Sequence, residues 1–119
     1  MANHRPGRVA QEIRREATDI LRHSIRDPRV DGVTITDVEV TNDLQHAKIF
    51  YSTLKDDERT KTETQKGLDK ASGLVRSEIG GRIKLYKTPE IRFVRDESLE
   101  YGNRIDQILN ELHEKESKN

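Results

Sequence analysis

Three arginines, Arg8, Arg15 and Arg22, recur at seven-residue intervals near the start of the chain, and no lysine occurs among the first 30 residues. Seven residues are close to two turns of an α-helix, so the three guanidinium groups fall on one helical face. The planar guanidinium fork suits bidentate phosphate binding better than an ammonium does. A second group is Lys70-Ala71-Ser72-Gly73 with Arg76 beyond it, two cations flanking a run of very small side chains. Such a bare spot admits the close approach of another backbone. The visitor is either this protein's own sheet or first helix, or a nucleic-acid backbone whose phosphates meet Lys70 and Arg76. Asp27-Pro28-Arg29 has two compatible readings as well. It is a turn in which Asp27 accepts local N–H bonds, and it offers Arg29 to a phosphate.

Other chemistries find little support. His4, His23, His46 and His113 are scattered along the chain. His23 has Asp19 and Asp27 four residues away on either side, which fits an ordinary surface histidine better than a metal ligand. Asp56-Asp57-Glu58 could hold Mg²⁺ in principle, but an acidic loop tip without glycine geometry reads as solvated. No serine or threonine neighbours a His-carboxylate motif, and no glycine-rich phosphate loop opens a helix. With no cysteine there is neither a disulfide framework nor a thiolate metal site. No catalytic residue, metal or cofactor is expected, and enzymatic function is disfavoured.

The elements that would position these cations can be traced along the 119 residues, which suffice for one domain. Charged residues (37%) outnumber apolar ones (31%), so the core must be small. No apolar run reaches the length of a membrane span or a signal segment, and a soluble cytoplasmic protein is expected. The net charge of zero conceals an alternation: residues 1–30 sum to +3, 31–60 to −4, 61–95 to +5 and 96–119 to −4. If the two basic segments meet in the fold, they form one cationic face; otherwise they solvate separate surfaces.

Residues 1–7, including Arg5, read as a flexible arm. From Arg8, the residues Val9, Ile13, Ala17, Ile20 and Leu21 share a helical face, and the helix is expected to stop near Arg26, ahead of Pro28. The β-branched stretch 33–41 is a strand whose alternation slips, implying a bulge near Thr36-Asp37 or cover on both faces. Turn residues 42–45 join it to a second strand at 46–54 in an antiparallel hairpin. Thr60 to Glu63 has capping-box spacing and would open the second helix. That helix buries Leu68, Ala71, Val75 and Ile79, bends at Gly73 and ends at Gly80-Gly81. Residues 82–87 could be a last helical turn or extended. A third strand follows at 90–95, then a last helix with Asp96 or Ser98 as cap and Ile105, Ile108, Leu109 and Leu112 as its stripe. The order α-β-β-α-(kink)-α-β with a C-terminal helix is an α+β domain over residues 8–112, a three-stranded sheet with helices packed on one face. Residues 113–119 are a polar tail.

That order, with a glycine-marked junction in the second helical region, is similar to the type II KH fold, which clamps single-stranded RNA with a GXXG loop. No glycine here has another three residues on, so the GXXG motif is missing. The chain more closely resembles the ribosome-binding factor A family, in which an AXG kink replaces that loop, as Ala71-Ser72-Gly73 would. "RVAQEIRREATDIL", "DPRV", "VTITDVEVTNDLQHAKIFYS" and "GLVRSEIGGRIKLYKTPEIRFVRDESLEYG" match in order, so the likeness covers roughly residues 5 to 112. The resemblance implies a monomeric, non-catalytic KH-like assembly factor. It would bind the immature small ribosomal subunit and its rRNA near the neck and the 3′ end, support rRNA maturation and matter most in the cold. Ribosomal proteins or an assembly GTPase are further candidate partners; no membrane partner is expected. The residues expected to meet RNA are Arg5, Arg8, Arg15, Arg22, Arg29, Lys70, Ala71, Ser72, Gly73, Arg76, Arg82 and Lys84. An aromatic content of 4% argues against a stacking platform of the RRM type. Two alternatives stay open: a general KH-like RNA-binding module without ribosome preference, and a protein-interaction adaptor acting through its acidic surfaces.

Overall fold

The structure, a computed structural model, describes residues 6–97. These form helix α1 (Pro6–His23), a single 3-10 turn (Pro28–Val30), strands β1 (Val33–Val40) and β2 (His46–Thr53), helix α2 (Glu58–Arg82) and strand β3 (Glu90–Arg95). The expected last helix with Ser98 and its stripe, the polar tail and residues 1–5 of the expected arm lie outside the described residues.

Helix α1 begins at Pro6, two residues before the expected start. Proline is at ease in the first turn, where its missing N–H has no helical partner anyway. It buries Val9, Ile13, Ala17, Ile20 and Leu21, and stops at His23 rather than near Arg26. Asp27, which precedes Pro28, takes the extended conformation that proline imposes (φ −126°, ψ 115°). Its carboxylate accepts the Arg29 N–H at 3.0 Å and so caps the 3-10 turn.

The hairpin is antiparallel, and its register shifts between Ile35 and Asp37. That shift is the expected bulge, and it explains the slipped alternation. Ile35 pairs with Tyr51 and Val38 with Ile49, so all four residues face the core although Ile35 and Val38, three apart, break the period of two on β1. Strand β3 joins the far side of β2 in parallel, in the order β1-β2-β3, and α2 makes the crossover that a parallel pair requires.

Helix α2 differs from expectation at three points. Its cap is Asp57 rather than Thr60: the Asp57 carboxylate accepts the Thr60 N–H at 3.1 Å, and the Thr60 hydroxyl donates back to it at 2.6 Å. Aspartate caps at least as well as threonine, so the helix can open three residues earlier, at Asp57. The helix runs unbroken through Gly73, in place of two helices about a junction. It also passes through Gly80-Gly81, neither of which takes a positive φ, and ends with Ile83 as cap. Burial of the Ile83 side chain favours the extra turn.

Both helices pack on one face of the sheet, α1 chiefly against β1 and α2 against β3. Their apolar stripes join Ile35, Val38, Ala47, Ile49, Tyr51 and Phe93 in a single core. A polar tie reinforces α2 against the sheet. The buried Tyr51 donates its hydroxyl to Gln65 Oε1, and Gln65 Nε2 donates to the Phe93 carbonyl at 3.0 Å.

Candidate nucleic-acid interface

At 100° per residue, Arg8, Arg15 and Arg22 lie opposite the buried stripe of α1, so they point away from the sheet. Arg8 and Arg15 are each 77% exposed and approach Glu12 and Glu16 only loosely, at 3.7 and 3.6 Å. Exposed pairs of this kind hold their partners weakly. Arg22 is exposed and has no ion pair among the described residues.

On α2 the side opposite the core carries Lys66, Lys70 and Gly73, all exposed. A Cβ placed on Gly73 would meet nothing within 4 Å among the described residues. The bare spot is therefore not filled by the protein's own sheet or first helix there. Ser72 donates its hydroxyl back to the Asp69 carbonyl at 2.8 Å, and Ala71 faces the core. Lys70 makes no ion pair among the described residues. Lys66 was not singled out from the sequence, although its four-residue spacing from Lys70 is the signal that would have found it. Both helices cover the same sheet face, so Arg8, Arg15 and Arg22 on α1 and Lys66, Lys70 and Gly73 on α2 are all turned away from the sheet, with Glu16, Asp19 and Arg82 linking the two helices.

Other expected contacts are committed within the fold. Arg29 folds onto Asp27, with Nη2 to Oδ2 at 2.8 Å and Nε to Oδ1 at 3.0 Å. These bonds hold the Asp27 carboxyl down to about 2 from its ordinary 3.8. Gly67 lets this turn press against α2, since its Cβ would sit 3.0 Å from Arg29 Cβ and Val30 Cγ1. Arg76 donates to the Thr88 and Pro89 carbonyls at 3.0 and 3.2 Å. Arg82 bridges the helices, donating to Asp19 at 2.6 Å and Glu16 at 3.2 Å, and lowers the Asp19 pKa through that bond. Lys84 is exposed on the loop after α2. Arg5 lies outside the described residues.

Among the described residues, no three His, Cys, Asp or Glu side chains gather as a metal site. His23 pairs with Asp19 at 2.9 Å, and Asp57 of the acidic loop serves as a helix cap. Two open cavities of about 500 and 400 Å³ meet at the exposed Leu54, and neither brings an acid–base pair together with a nucleophile. No helix among the described residues is long and apolar enough to cross a membrane.

Comparison with known proteins gives this arrangement a context. The family model for ribosome-binding factor A matches residues 5–109. Ribosome-binding factor A of Enterococcus faecalis is 58% identical over 116 residues, covering 98% of this chain and 100% of the relative. That of Pediococcus pentosaceus is 57% identical over 110 residues, covering 92% and 95%. Among solved structures, a Thermotoga maritima protein described as a candidate ribosome binding factor A aligns with a TM-score of 0.70 at 33% identity, over 82% of this chain and 92% of that one. A homology model of Thermus thermophilus ribosome binding factor A, fitted into a cryo-EM map of a complex with the 30S subunit, has the same fold. Its TM-score is 0.64 at 14% identity, over 77% of this chain and 96% of that one. The fold is thus KH-like with an unbroken α2, and this chain belongs to the ribosome-binding factor A family.

Proposed function

We propose that this protein binds the immature small ribosomal subunit through its rRNA, in the cytoplasm, and supports late rRNA maturation without catalysing a reaction. The observation that carries the proposal is the outward-facing cations of the two helices. Arg8, Arg15 and Arg22 line the outer side of α1, and Lys66 and Lys70 accompany an open glycine on the outer side of α2, all turned from the sheet and free of strong ion pairs among the described residues. Such cations suit phosphate contacts, which fix position without reading sequence. Gly73 leaves room for a sugar-phosphate backbone to lie against α2. The fitted Thermus complex supports the small subunit as partner for a protein of this fold.

The mechanism is a population shift. The protein binds one arrangement of the rRNA better than its competitor and so holds a maturation intermediate until later factors act. The family likeness carries the further expectation that its loss matters most in the cold. Co-sedimentation with immature and mature small subunits, large subunits and single-stranded RNA over a salt series tests the proposal. Preference for the immature small subunit that weakens steeply with salt is expected. Equal binding to all four would overturn it.

A further inference from the structure

The segment joining α2 to β3 carries a side chain that the helical surface does not explain. Tyr86 is fully exposed, at 108% of its reference area, while Ile83 and Pro89 at either end of the segment are buried. The segment 83–88 contains Lys84 and Lys87 and no acidic residue. Both lysines are exposed, and neither makes an ion pair among the described residues.

The segment is held at both ends. The Ile83 N–H donates to the Ile79 carbonyl at 2.8 Å, and Leu85 packs against the core. Thr88 seats on Gly80, where a Cβ would come within 2.6 Å of its hydroxyl. Arg76 donates to the carbonyls of Thr88 and Pro89. Arg76 is thus a brace for this segment. Tyr86 is displayed from a fixed base, so little backbone freedom remains to be lost on binding.

An aromatic ring held out in solvent between two ammonium groups that make no ion pair among the described residues has the chemistry of a base-stacking contact. Every nucleobase offers a π-face, and phosphates on either side of the stacked nucleotide would meet the lysines. We infer that Tyr86 stacks on one unpaired base of the bound RNA while Lys84 and Lys87 contact the adjoining phosphates; the inference rests on the rRNA-binding proposal above. One ring, rather than a row of them, matches a chain with few aromatic residues. It recognises a nucleotide splayed out of a folded RNA and not its sequence.

The test uses the full chain with purified immature small subunits and with the protein-free RNA extracted from them. Tyr86→Ala should weaken subunit binding roughly 5- to 100-fold without changing the slope of affinity against salt, since stacking releases no counterions. Tyr86→Phe should bind like the unaltered protein. Lys84→Ala combined with Lys87→Ala should lower the slope by about two. The protein has no tryptophan, so Tyr86→Trp places a unique fluorophore that both subunits and free RNA should quench. Undiminished binding by Tyr86→Ala would overturn the inference. So would a loss in Tyr86→Phe equal to that in Tyr86→Ala, which would assign the contact to the hydroxyl. Quenching by subunits alone would place the ring against a ribosomal protein, and overturn it too. Failure of the unaltered protein to bind subunits would instead overturn the rRNA-binding proposal itself.

Discussion

Asp27 is kept ionised by Arg29, whose guanidinium and backbone N–H both donate to it. Its pKa in the folded protein is about 2, below the ordinary 3.8. A depressed carboxylate stabilises the fold above its unfolded pKa and loses that contribution as pH falls through its folded one. Asp27→Asn should therefore flatten the dependence of unfolding free energy on pH between 3.8 and about 2, measured by denaturant titration at each pH. Asparagine is itself a good cap, so the turn should survive the change. This turn was legible in the sequence because proline and aspartate act on their immediate neighbours. The partners of Arg82 were not legible, since Asp19 and Glu16 lie 63 and 66 residues away. Nothing local distinguishes a cation that bridges helices from one that faces solvent.

At the scale of elements, the two glycines of α2 separate by what stands over them. At Gly73 an added methyl group meets nothing within 4 Å among the described residues, so Gly73→Ala should raise stability by about 0.5–1 kcal/mol through helix propensity alone. At Gly67 the same methyl presses on Arg29 and Val30 at 3.0 Å, and Gly67→Ala should forfeit that gain or lower the melting temperature. Thermal melts of the two variants compare them directly. If Gly73 is where RNA approaches, the stabler variant should bind subunits less well. The strand pattern revealed the hairpin and left a bulge beside two-faced cover as explanations of its slipped period; the register decides for the bulge. The ends of α2 were misjudged. Thr60 and Asp57 are both acceptable caps, and Gly80 is kept small by Thr88 packing on it rather than by a helix end. Propensity cannot choose between equally good signals; packing does.

For the molecule as a whole, the question left open by charge counts was whether the two basic segments meet. Both lie in the helical layer over one face of the sheet, and Arg82 links them by reaching across to Glu16 and Asp19. Arg8, Arg15 and Arg22 on α1 and Lys66 and Lys70 on α2 face outward from their own helices. Which arginines face outward follows from what the others are doing. Arg15→Ala should reduce the salt slope of subunit binding by about one and leave the melting temperature nearly unchanged. Arg82→Ala should do the reverse, loosening α1 from α2 while the slope stays the same. Titrations over a salt series beside thermal melts check both.

The parallel pairing of β2 with β3 has a consequence in time. The hairpin can close through a short turn, whereas β3 must wait for the whole of α2 to be made and folded back. During synthesis, β3 is the last of these elements to emerge. Until it docks, α2 lacks the strand it packs on most. The side of α2 that carries Gly73 thus takes its final place only after residues 90–95 have been synthesised, and no earlier stretch of nascent chain can present it in its folded form.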